Sequence, residues 1–218
     1  MKTELVIFDL DGTLLNTIGD LAVSCNAVLA VRGLPQHSYE EYCHFVGNGI
    51  LRLVERALPE VLRTPENVAL VRADFVRYYT EHIDTCTKPY DGIPDVVAAL
   101  ARRGVRMAVA SNKFQAGTEK LVGLFFPEGC FSPVFGQRPD VPLKPDPAVV
   151  EEILAATGVA RERVLYVGDS GVDMQTAAAA GLRSVGVTWG FRERAELEAC
   201  NPWRIIDRPE ELLALLDA

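Results

Sequence analysis

The sequence predicts an α/β protein whose core is a doubly wound parallel sheet, interrupted after its first strand by an inserted all-helical domain. Short apolar runs rich in β-branched residues, bounded by turn residues, are typical of strands buried on both faces. Helical patterns lie between most of these runs, and such alternation is typical of parallel sheets with right-handed crossovers. One interval of about seventy residues breaks the alternation, because it carries helix signals and no convincing strand.

The strand predictions rest on the apolar runs. Four runs are strong and cover residues 5–8, 105–110, 164–167 and 184–187. Two weaker candidates cover residues 133–135 and 204–206. Ligands of open parallel sheets bind at the carboxyl ends of the strands, so the residues that follow each run are the first candidates for function.

The helix signals of the long interval are patterns that begin helices. They are Thr17-x-x-Asp20, Ser38-x-x-Glu41 and Thr64-Pro65, the last opening a helix over residues 66–82. A helical segment of this length is too long for a single crossover connection between two strands. We therefore predict a separate helical domain over residues 16–88. Residues 1–15 and 89–218 then form the α/β core, joined to the far end of the insertion by a turn-rich segment.

Composition limits the classes of protein that fit. The chain has 218 residues, 49% of them hydrophobic, and its 22 basic against 30 acidic residues give a net charge of −8. This balance is that of a folded globular protein, and it excludes disorder and low complexity. An acidic chain without a basic run predicts no nucleic-acid partner and no anionic-lipid partner, so a small molecule is the expected ligand.

Targeting signals and cysteines predict a cytoplasmic protein. The apolar stretch at the start is too short for the core of a signal peptide, and no apolar run reaches the length of a membrane span. The five cysteines are odd in number and contain no C-x-x-C pair, as expected of a reduced compartment.

Two carboxylates follow the first predicted strand. If the backbone stays extended, Asp9 and Asp11 point to the same side, and Gly12 then allows a tight turn. At about 4 Å and an effective dielectric of about 20, two such charges repel by about 4 kcal/mol. One of them must hold a proton, or a cation must lie between them. The pattern alone is equally compatible with a polar strand end.

The run at residues 164–167 is followed by a second pair of acids, Asp169 and Asp173. Asp169 can join Asp9 in a metal site, and hard carboxylate oxygens of this kind suit Mg²⁺. Asp173 also lies in the first turn of a helix predicted over residues 172–180, where the helix dipole stabilises a negative charge.

Two further strand-end segments carry groups that bind anions. Ser111-Asn112-Lys113 offers a hydroxyl and backbone N–H groups ahead of a helix. Lys144 lies between prolines that fix the local backbone, with Asp146 placed to cap a helix that opens at Pro147. Singly these residues are as expected of a turn and a solvated lysine. They become candidates for function because they follow predicted strands whose carboxyl ends share one crevice.

Four motifs in this order resemble those of the haloacid dehalogenase superfamily of phosphotransferases. They are DLDGT at residues 9–13, SN at 111–112, KP at 144–145 and GDSGVD at 168–173. The helical insertion is similar to the helical cap that follows the first motif in that family. Asp11 speaks against dehalogenation, because family members devoted to that reaction lack the second acid of the first motif.

Within the superfamily, three shorter segments resemble the phosphoglycolate phosphatase group. They are GNG at residues 47–49, ERAL at 55–58 and VTWG at 187–190. The resemblance implies a Mg²⁺-dependent phosphatase of a small phosphorylated metabolite, with phosphoglycolate as the first candidate. Asn16 departs from the family, where Asp is common, but Asn caps a helix nearly as well.

The resemblance also implies roles for individual residues. Asp9 would be the nucleophile that forms an aspartyl-phosphate, and Asp11 the general acid and base. Mg²⁺ would be held by the carboxylates of Asp9 and Asp169 and by the backbone carbonyl of Asp11. Ser111 and Lys144 would bind the oxygens of the transferring phosphoryl group.

Further residues would support these groups or read the substrate. Asp173 would orient Lys144 or metal-bound water from behind, and Thr13 and Asn112 would belong to the substrate site. In the cap, Gly47, Asn48 and Arg52 would contact substrate, with the Arg52 cation meeting a substrate carboxylate. The alternative is that residues 47–49 form only a turn and that Arg52 is solvated.

Two other functions stay open on sequence alone. A phosphomutase of the same superfamily would share every residue named above and pass the phosphoryl group to a sugar hydroxyl. A signalling receiver module also keeps acids, a hydroxyl residue and a lysine around Mg²⁺, although the insertion and the D-x-D pattern argue against it. The aromatic residues Phe75, Tyr78 and Tyr79, at helical spacing, are interpreted as packing of the insertion.

Overall fold

The computed structural model describes residues 2–217. Its strands, in chain order, are β1 (Leu5–Phe8), β2 (Leu15–Asn16), β3 (Lys88–Pro89), β4 (Arg106–Phe114), β5 (Val134–Gln137), β6 (Val164–Gly168), β7 (Arg183–Val187) and β8 (Arg204–Ile206). Six of them form one parallel sheet in the order β5-β4-β1-β6-β7-β8, and β2 pairs antiparallel with β3. All six strand predictions, including the two weaker ones, are confirmed.

The helices lie between and after these strands. In chain order they are α1 (Ile18–Val31), α2 (Tyr39–Phe45), α3 (Gly49–Ala57), α4 (Pro65–His82), α5 (Ile93–Arg102), α6 (Gln115–Phe125), α7 (Ala148–Thr157), α8 (Gly171–Ala179), α9 (Arg194–Ala199) and α10 (Leu212–Leu215). Single 3₁₀ turns cover Glu60–Leu62, Arg161–Arg163 and Pro209–Glu211. None of the helices within residues 2–217 combines the length and the apolar character that a membrane crossing needs.

The sheet is buried on both faces, as the doubly wound prediction requires. Successive residues of β1 alternate between two hydrophobic clusters, with Val6 and Phe8 in one and Leu5 and Ile7 in the other. The chain starts in the middle of the sheet, builds one side through β4 and β5, and returns to the other side at β6. The carboxyl ends of β1, β4 and β6 therefore meet at the topological switch point, where ligands of such sheets bind.

Four helices, α1 to α4, occupy the chain between β2 and β3. They bury aromatic side chains of their own, including Tyr42, Phe75 and Tyr79. The two ends of this segment meet in the β2–β3 pair, where Leu15 lies opposite Pro89 and Asn16 opposite Lys88. This pair coincides with the predicted boundary at residues 15–16 and 88–89, and the division into two domains stays a prediction. We call residues 16–88 the helical insertion.

Several predicted helix starts are confirmed in detail. Ser38 and Glu41 form a reciprocal capping box, with Glu41 N donating to Ser38 Oγ at 3.2 Å and Ser38 N donating to Glu41 Oε2 at 2.8 Å. The Thr64 hydroxyl caps α4. The Asp146 carboxylate accepts from the backbone N–H of Ala148 at 2.9 Å, as a capping residue does.

The helix start predicted from Thr17-x-x-Asp20 is confirmed, since α1 begins directly after Thr17, but the two residues form no capping box. The Thr17 side chain makes no capping bond, and its buried hydroxyl has no hydrogen-bond partner among the described residues. Asp20 instead accepts from Cys86 N and Thr87 N, both at 2.8 Å, and from the Thr87 hydroxyl at 2.7 Å. The carboxylate ties the two ends of the helical insertion together, and a local pattern cannot reveal partners so distant in the chain.

We expect Asp20→Ala to lower the free energy of unfolding by about 2 to 4 kcal/mol, because it leaves the backbone N–H and the hydroxyl of the buried Thr87 without their acceptor. Chemical denaturation followed by circular dichroism measures the change. Asp95→Ala, at an exposed acid of α5, is the matched control and should cost less than about 1 kcal/mol. Equal effects of the two substitutions would contradict the clamping role of Asp20.

Candidate active site

Polar and charged side chains collect, buried, at the carboxyl ends of β1, β4 and β6. Asp9 and Asp169 directly follow β1 and β6, Ser111 lies near the end of β4, and Lys144 precedes α7. Gly12 allows the chain to turn sharply here, with a φ of +87°. A Cβ at this position would lie 2.3 Å from a carboxylate oxygen of Asp169, so only glycine lets the two segments approach.

A buried ammonium group links two of the carboxylates. Lys144 Nζ lies 2.7 Å from Asp173 Oδ1 and 3.0 Å from Asp9 Oδ1. Burial opposes the charge on Lys144, but the carboxylates of Asp173 and Asp9 outweigh it, so the pKa of this lysine is raised well above its ordinary value. Lys144 is therefore a fixed positive charge rather than a solvated lysine.

Asp173 serves both roles that the sequence left open. Its carboxylate completes a capping box at the start of α8, accepting from Ser170 Oγ at 2.6 Å and from Ser170 N at 3.1 Å. Its other oxygen contacts Lys144 and accepts from the Tyr166 hydroxyl at 3.3 Å. Anchored at a helix start, Asp173 holds the lysine in a defined position.

The carboxylates fit a divalent cation. Asp9, Asp169 and Asp173 each offer an oxygen, and these oxygens lie within 4.8 Å of one another. Burial, followed by repulsion from Asp173, raises the pKa of Asp9 well above its ordinary value and that of Asp169 to about 7. Buried hard oxygen donors that repel one another are suited to Mg²⁺, whose charge removes the repulsion. The side chain of Asp11 lies outside this cluster.

Two contacts fix the orientation of Asp169. The Thr13 hydroxyl donates to Asp169 Oδ1 at 3.1 Å, and the Phe191 backbone N–H donates to Asp169 Oδ2 at 2.8 Å. The Trp189 ring in turn donates to the backbone carbonyl of Thr13 at 3.0 Å. Thr13, predicted as a substrate-binding residue, thus contacts a candidate metal ligand in this structure.

Asp11 pairs with a lysine that the sequence analysis gave no role. Lys113 Nζ lies 3.1 and 3.2 Å from the two carboxylate oxygens of Asp11 and 2.7 Å from the Tyr79 hydroxyl. Tyr79, interpreted from sequence only as packing, comes from α4 of the helical insertion. The position of Lys113 directly after Ser111-Asn112 was the available signal, but the choice of partner depends on the tertiary structure.

Ser111 and Asn112 both reach the site. A cavity beside Asp9 is lined by residues of both the core and the helical insertion, and Ser111 is one of them. The Ser111 hydroxyl accepts a hydrogen bond from Lys113 N at 3.3 Å. Asn112 holds the backbone of Lys144 from both sides, accepting from its N–H at 2.9 Å and donating to its carbonyl at 3.0 Å. Its amide also donates to the carbonyl of Gly47 at 3.0 Å, which connects the core to the helical insertion.

The helical insertion brings some of its predicted residues to the site and not others. Gly47 and Gly49 line the cavity. Asn48 accepts from Arg56 at 2.8 Å and is not among the lining residues. Arg52 does not reach the cavity, because its side chain is 59% exposed and pairs with Glu55. Helix α3 directs Ile50 and Leu53 towards the cavity, so Arg52 lies on another face of that helix.

Arg192 makes another polar contact between the core and the helical insertion. Its guanidinium donates to the carbonyl of Val46 at 2.7 Å and to that of Cys43, both at the carboxyl-terminal end of α2. The side chain is only 12% exposed. The helical insertion therefore lies over the carboxylates in this structure, held there by charge-assisted bonds as well as by apolar packing.

Asp169 predicts a pH dependence of stability in protein stripped of divalent cations with EDTA. Its pKa of about 7 exceeds the ordinary value of 3.8, so the folded protein keeps a proton that the unfolded chain has lost. Folding stability should therefore fall as the pH rises from about 4 to about 7. Asp169→Asn removes this titration, and its melting temperature should fall less between about pH 5 and about pH 8.

The matched control is Asp95→Asn, at an exposed acid, which should keep the wild-type slope. Thermal melts over the pH range give the comparison. A wild-type slope in Asp169→Asn would contradict the prediction.

The comparisons with known proteins agree with this geometry. The chain is 34% identical over 211 residues to the phosphoglycolate phosphatase of Pectobacterium atrosepticum, covering 96% of this chain and 90% of that protein. It is 35% identical over 217 residues to the phosphoglycolate phosphatase of Pseudomonas putida, covering 98% and 78%.

Among solved structures, one from Lactobacillus delbrueckii subsp. bulgaricus has a TM-score of 0.92 at 31% identity, covering 99% of each chain. A structure described as a predicted phosphoglycolate phosphatase from Haemophilus somnus has a TM-score of 0.90 at 29% identity, covering 99% of this chain and 98% of that one. The sequence model of the haloacid dehalogenase-like hydrolases matches residues 6–187. These residues are most of the chain and include every predicted site residue, so the protein belongs to the haloacid dehalogenase-like hydrolase family.

Proposed function

We propose that the protein is a Mg²⁺-dependent phosphatase that hydrolyses a small phosphorylated metabolite through a phosphoryl group carried on Asp9. The observation that carries the proposal is the buried ammonium of Lys144, 3.0 Å from Asp9 and 2.7 Å from Asp173, two of the three acids whose oxygens cluster with that of Asp169. A nucleophile, a fixed positive charge and a cation site in one crevice are what phosphoryl transfer requires. The family and the phosphatase relatives support a phosphoric monoester hydrolase.

In the first half of the reaction a carboxylate oxygen of Asp9 attacks phosphorus and forms a P–O bond. The ester P–O bond on the opposite side breaks, and the leaving alkoxide takes a proton from Asp11. Lys144 stabilises the negative charge that spreads over the phosphoryl oxygens, and the Ser111 hydroxyl donates to one of them.

In the second half a water molecule attacks the phosphorus of the aspartyl-phosphate while Asp11 takes up its proton. The bond between phosphorus and the Asp9 oxygen breaks, so inorganic phosphate leaves and Asp9 returns to its carboxylate form. Asp9 and Asp169 would hold Mg²⁺, which when bound neutralises the charge of the phosphoryl group and of the carboxylates. The predicted third contact, the backbone carbonyl of Asp11, completes this proposed set.

Phosphoglycolate is the first candidate substrate, on the strength of the relatives. The lining of the cavity is compatible with a small substrate, since Val46, Gly49, Ile50 and Leu53 of the helical insertion lie across from the acids of the core. The helical insertion also excludes bulk water, which strengthens the charge contacts beneath it. The predicted contact of Arg52 with substrate is left out of the proposal, because that side chain lies away from the cavity.

The test is a screen of phosphorylated metabolites with Mg²⁺ that measures released phosphate and kcat/KM. We expect small monoesters, phosphoglycolate first among them, to release phosphate, and chelation with EDTA to remove the activity. Asp9→Asn should abolish turnover, because an amide cannot carry the phosphoryl group. Wild-type activity in Asp9→Asn, or accumulation of an isomeric sugar phosphate in place of free phosphate, would contradict the proposal.

Lys144→Ala should lower kcat by about two to three orders of magnitude, the usual effect of removing one preorganised charge contact. Steady-state kinetics with the best substrate of the screen measure the change, and circular dichroism checks the fold. Lys2→Ala, at an exposed lysine, is the matched control and should retain wild-type kcat. A loss of less than about threefold in a folded Lys144→Ala would contradict the role of this ammonium.

A further inference from the structure

We infer that Lys113 and Tyr79 are positioning residues, which hold the carboxylate of Asp11 in the orientation that its proton transfer needs. The inference rests on the proposed function, in which Asp11 protonates the leaving alkoxide. It goes beyond that proposal by adding two residues to the machinery, one from the core and one from the helical insertion.

The contacts of Lys113 use its full donor capacity. An ammonium group has three N–H donors, and Lys113 Nζ lies within hydrogen-bond distance of three acceptors. Two are the oxygens of Asp11, at 3.1 and 3.2 Å, and the third is the Tyr79 hydroxyl at 2.7 Å. Contact with both oxygens fixes the rotation of the carboxylate as well as its position. The Lys113 side chain is 2% exposed, so water does not compete for these bonds.

Tyr79 is itself held rigidly. Its ring stacks on Phe75 with a centroid separation of 5.3 Å and packs edge-on against Phe114 at 6.3 Å. The Lys113 ammonium lies 4.7 Å from the centre of the Tyr79 ring, on the side of the hydroxyl that it contacts. Phe75 and Tyr79 belong to α4, whereas Lys113 and Phe114 belong to β4. A helix of the insertion therefore fixes the lysine that fixes Asp11.

This arrangement matters because proton transfer depends steeply on geometry. A misplacement of about 1 Å can cost about a hundredfold in rate, even when the substituted residue never touches substrate. Asp11 is part-exposed, at 13% for its side chain, and Lys113 is the cation within salt-bridge distance of it among the described residues. Without Lys113 and Tyr79 the Asp11 carboxylate would be free to rotate.

A positioning role differs from a merely structural one in its dependence on the leaving group. Ethyl phosphate and 2,2,2-trifluoroethyl phosphate are similar in size, but trifluoroethoxide is much the weaker base and needs protonation less. The ratio of their kcat/KM values therefore reports proton donation by Asp11. The value of kcat/KM depends only on the steps up to phosphoryl transfer, so the rate of the later attack by water does not affect it. A general loss of folding or of metal would lower both values by the same factor.

The experiment compares this ratio, trifluoroethyl over ethyl, in wild type and variants. Tyr79→Phe removes one hydroxyl and keeps the stacked ring, and Lys113→Met removes the ammonium at nearly constant length. We expect the ratio to rise at least about fivefold in Tyr79→Phe and more in Lys113→Met, a fraction of the 10² to 10⁴ that general acid catalysis contributes. Tyr78→Phe, one residue earlier on α4, is the matched control and should keep the wild-type ratio.

Asp11→Asn separates failure of the inference from failure of the proposed function. If Asp11→Asn raises the ratio while Tyr79→Phe and Lys113→Met leave it at the wild-type value, the positioning role is overturned and the proposed mechanism stands. If Asp11→Asn leaves the ratio unchanged, Asp11 is not the proton donor and both fall. Because Tyr79→Phe preserves the buried ring, it remains a valid test even if Lys113→Met does not fold.

Discussion

The ammonium of Lys144 between Asp9 and Asp173 is the interaction on which the site depends. The carboxylates at the ends of β1 and β6 are buried and repel one another, and burial alone favours their neutral forms. The buried ammonium of Lys144, 3.0 Å from Asp9 and 2.7 Å from Asp173, opposes this effect of burial. The proposed nucleophile Asp9, the Lys144 ammonium beside it and the candidate cation site are thus one network, so changing one member alters the others.

The network is precise because backbone as well as side chains is held. Asn112 hydrogen-bonds both the N–H and the carbonyl of Lys144, so the lysine starts from a fixed main chain. Asp173 is anchored by the capping box of α8, and Asp169 by Thr13 and the Phe191 N–H. Each of these three charged groups is therefore held by a contact that takes no part in the proposed reaction, as preorganised sites require.

Three polar contacts between the helical insertion and the core lie near the site. The Asn112 amide reaches Gly47, Arg192 reaches the end of α2, and Lys113 reaches Tyr79. Two of these three core residues also contact groups of the proposed mechanism, since Asn112 holds Lys144 and Lys113 holds Asp11. The position of the insertion and the geometry of the site are consequently coupled through short, direct contacts.

The strands, the class of fold and the acids at the strand ends could all be predicted from the sequence. Apolar runs and capping patterns are local signals, and a parallel sheet brings the carboxyl ends of its central strands together whatever the loops do. Asp9, Ser111 and Asp169 could therefore be predicted to meet, whereas Lys144 reaches them from the loop after the edge strand β5.

Some contacts could not be predicted from the sequence. They depend on a partner far along the chain, or on which face of a helix packs inward. Asp20 accepts hydrogen bonds from residues that lie 66 and 67 positions further along the chain, and Asp11 pairs with Lys113, which lies 102 positions away. Arg52 lies outside the cavity because α3 packs with Ile50 and Leu53 inward, a choice of rotation that the spacing from Gly49 does not reveal. Period and composition specify which elements form, whereas the packing of one element on another selects the partners of its side chains.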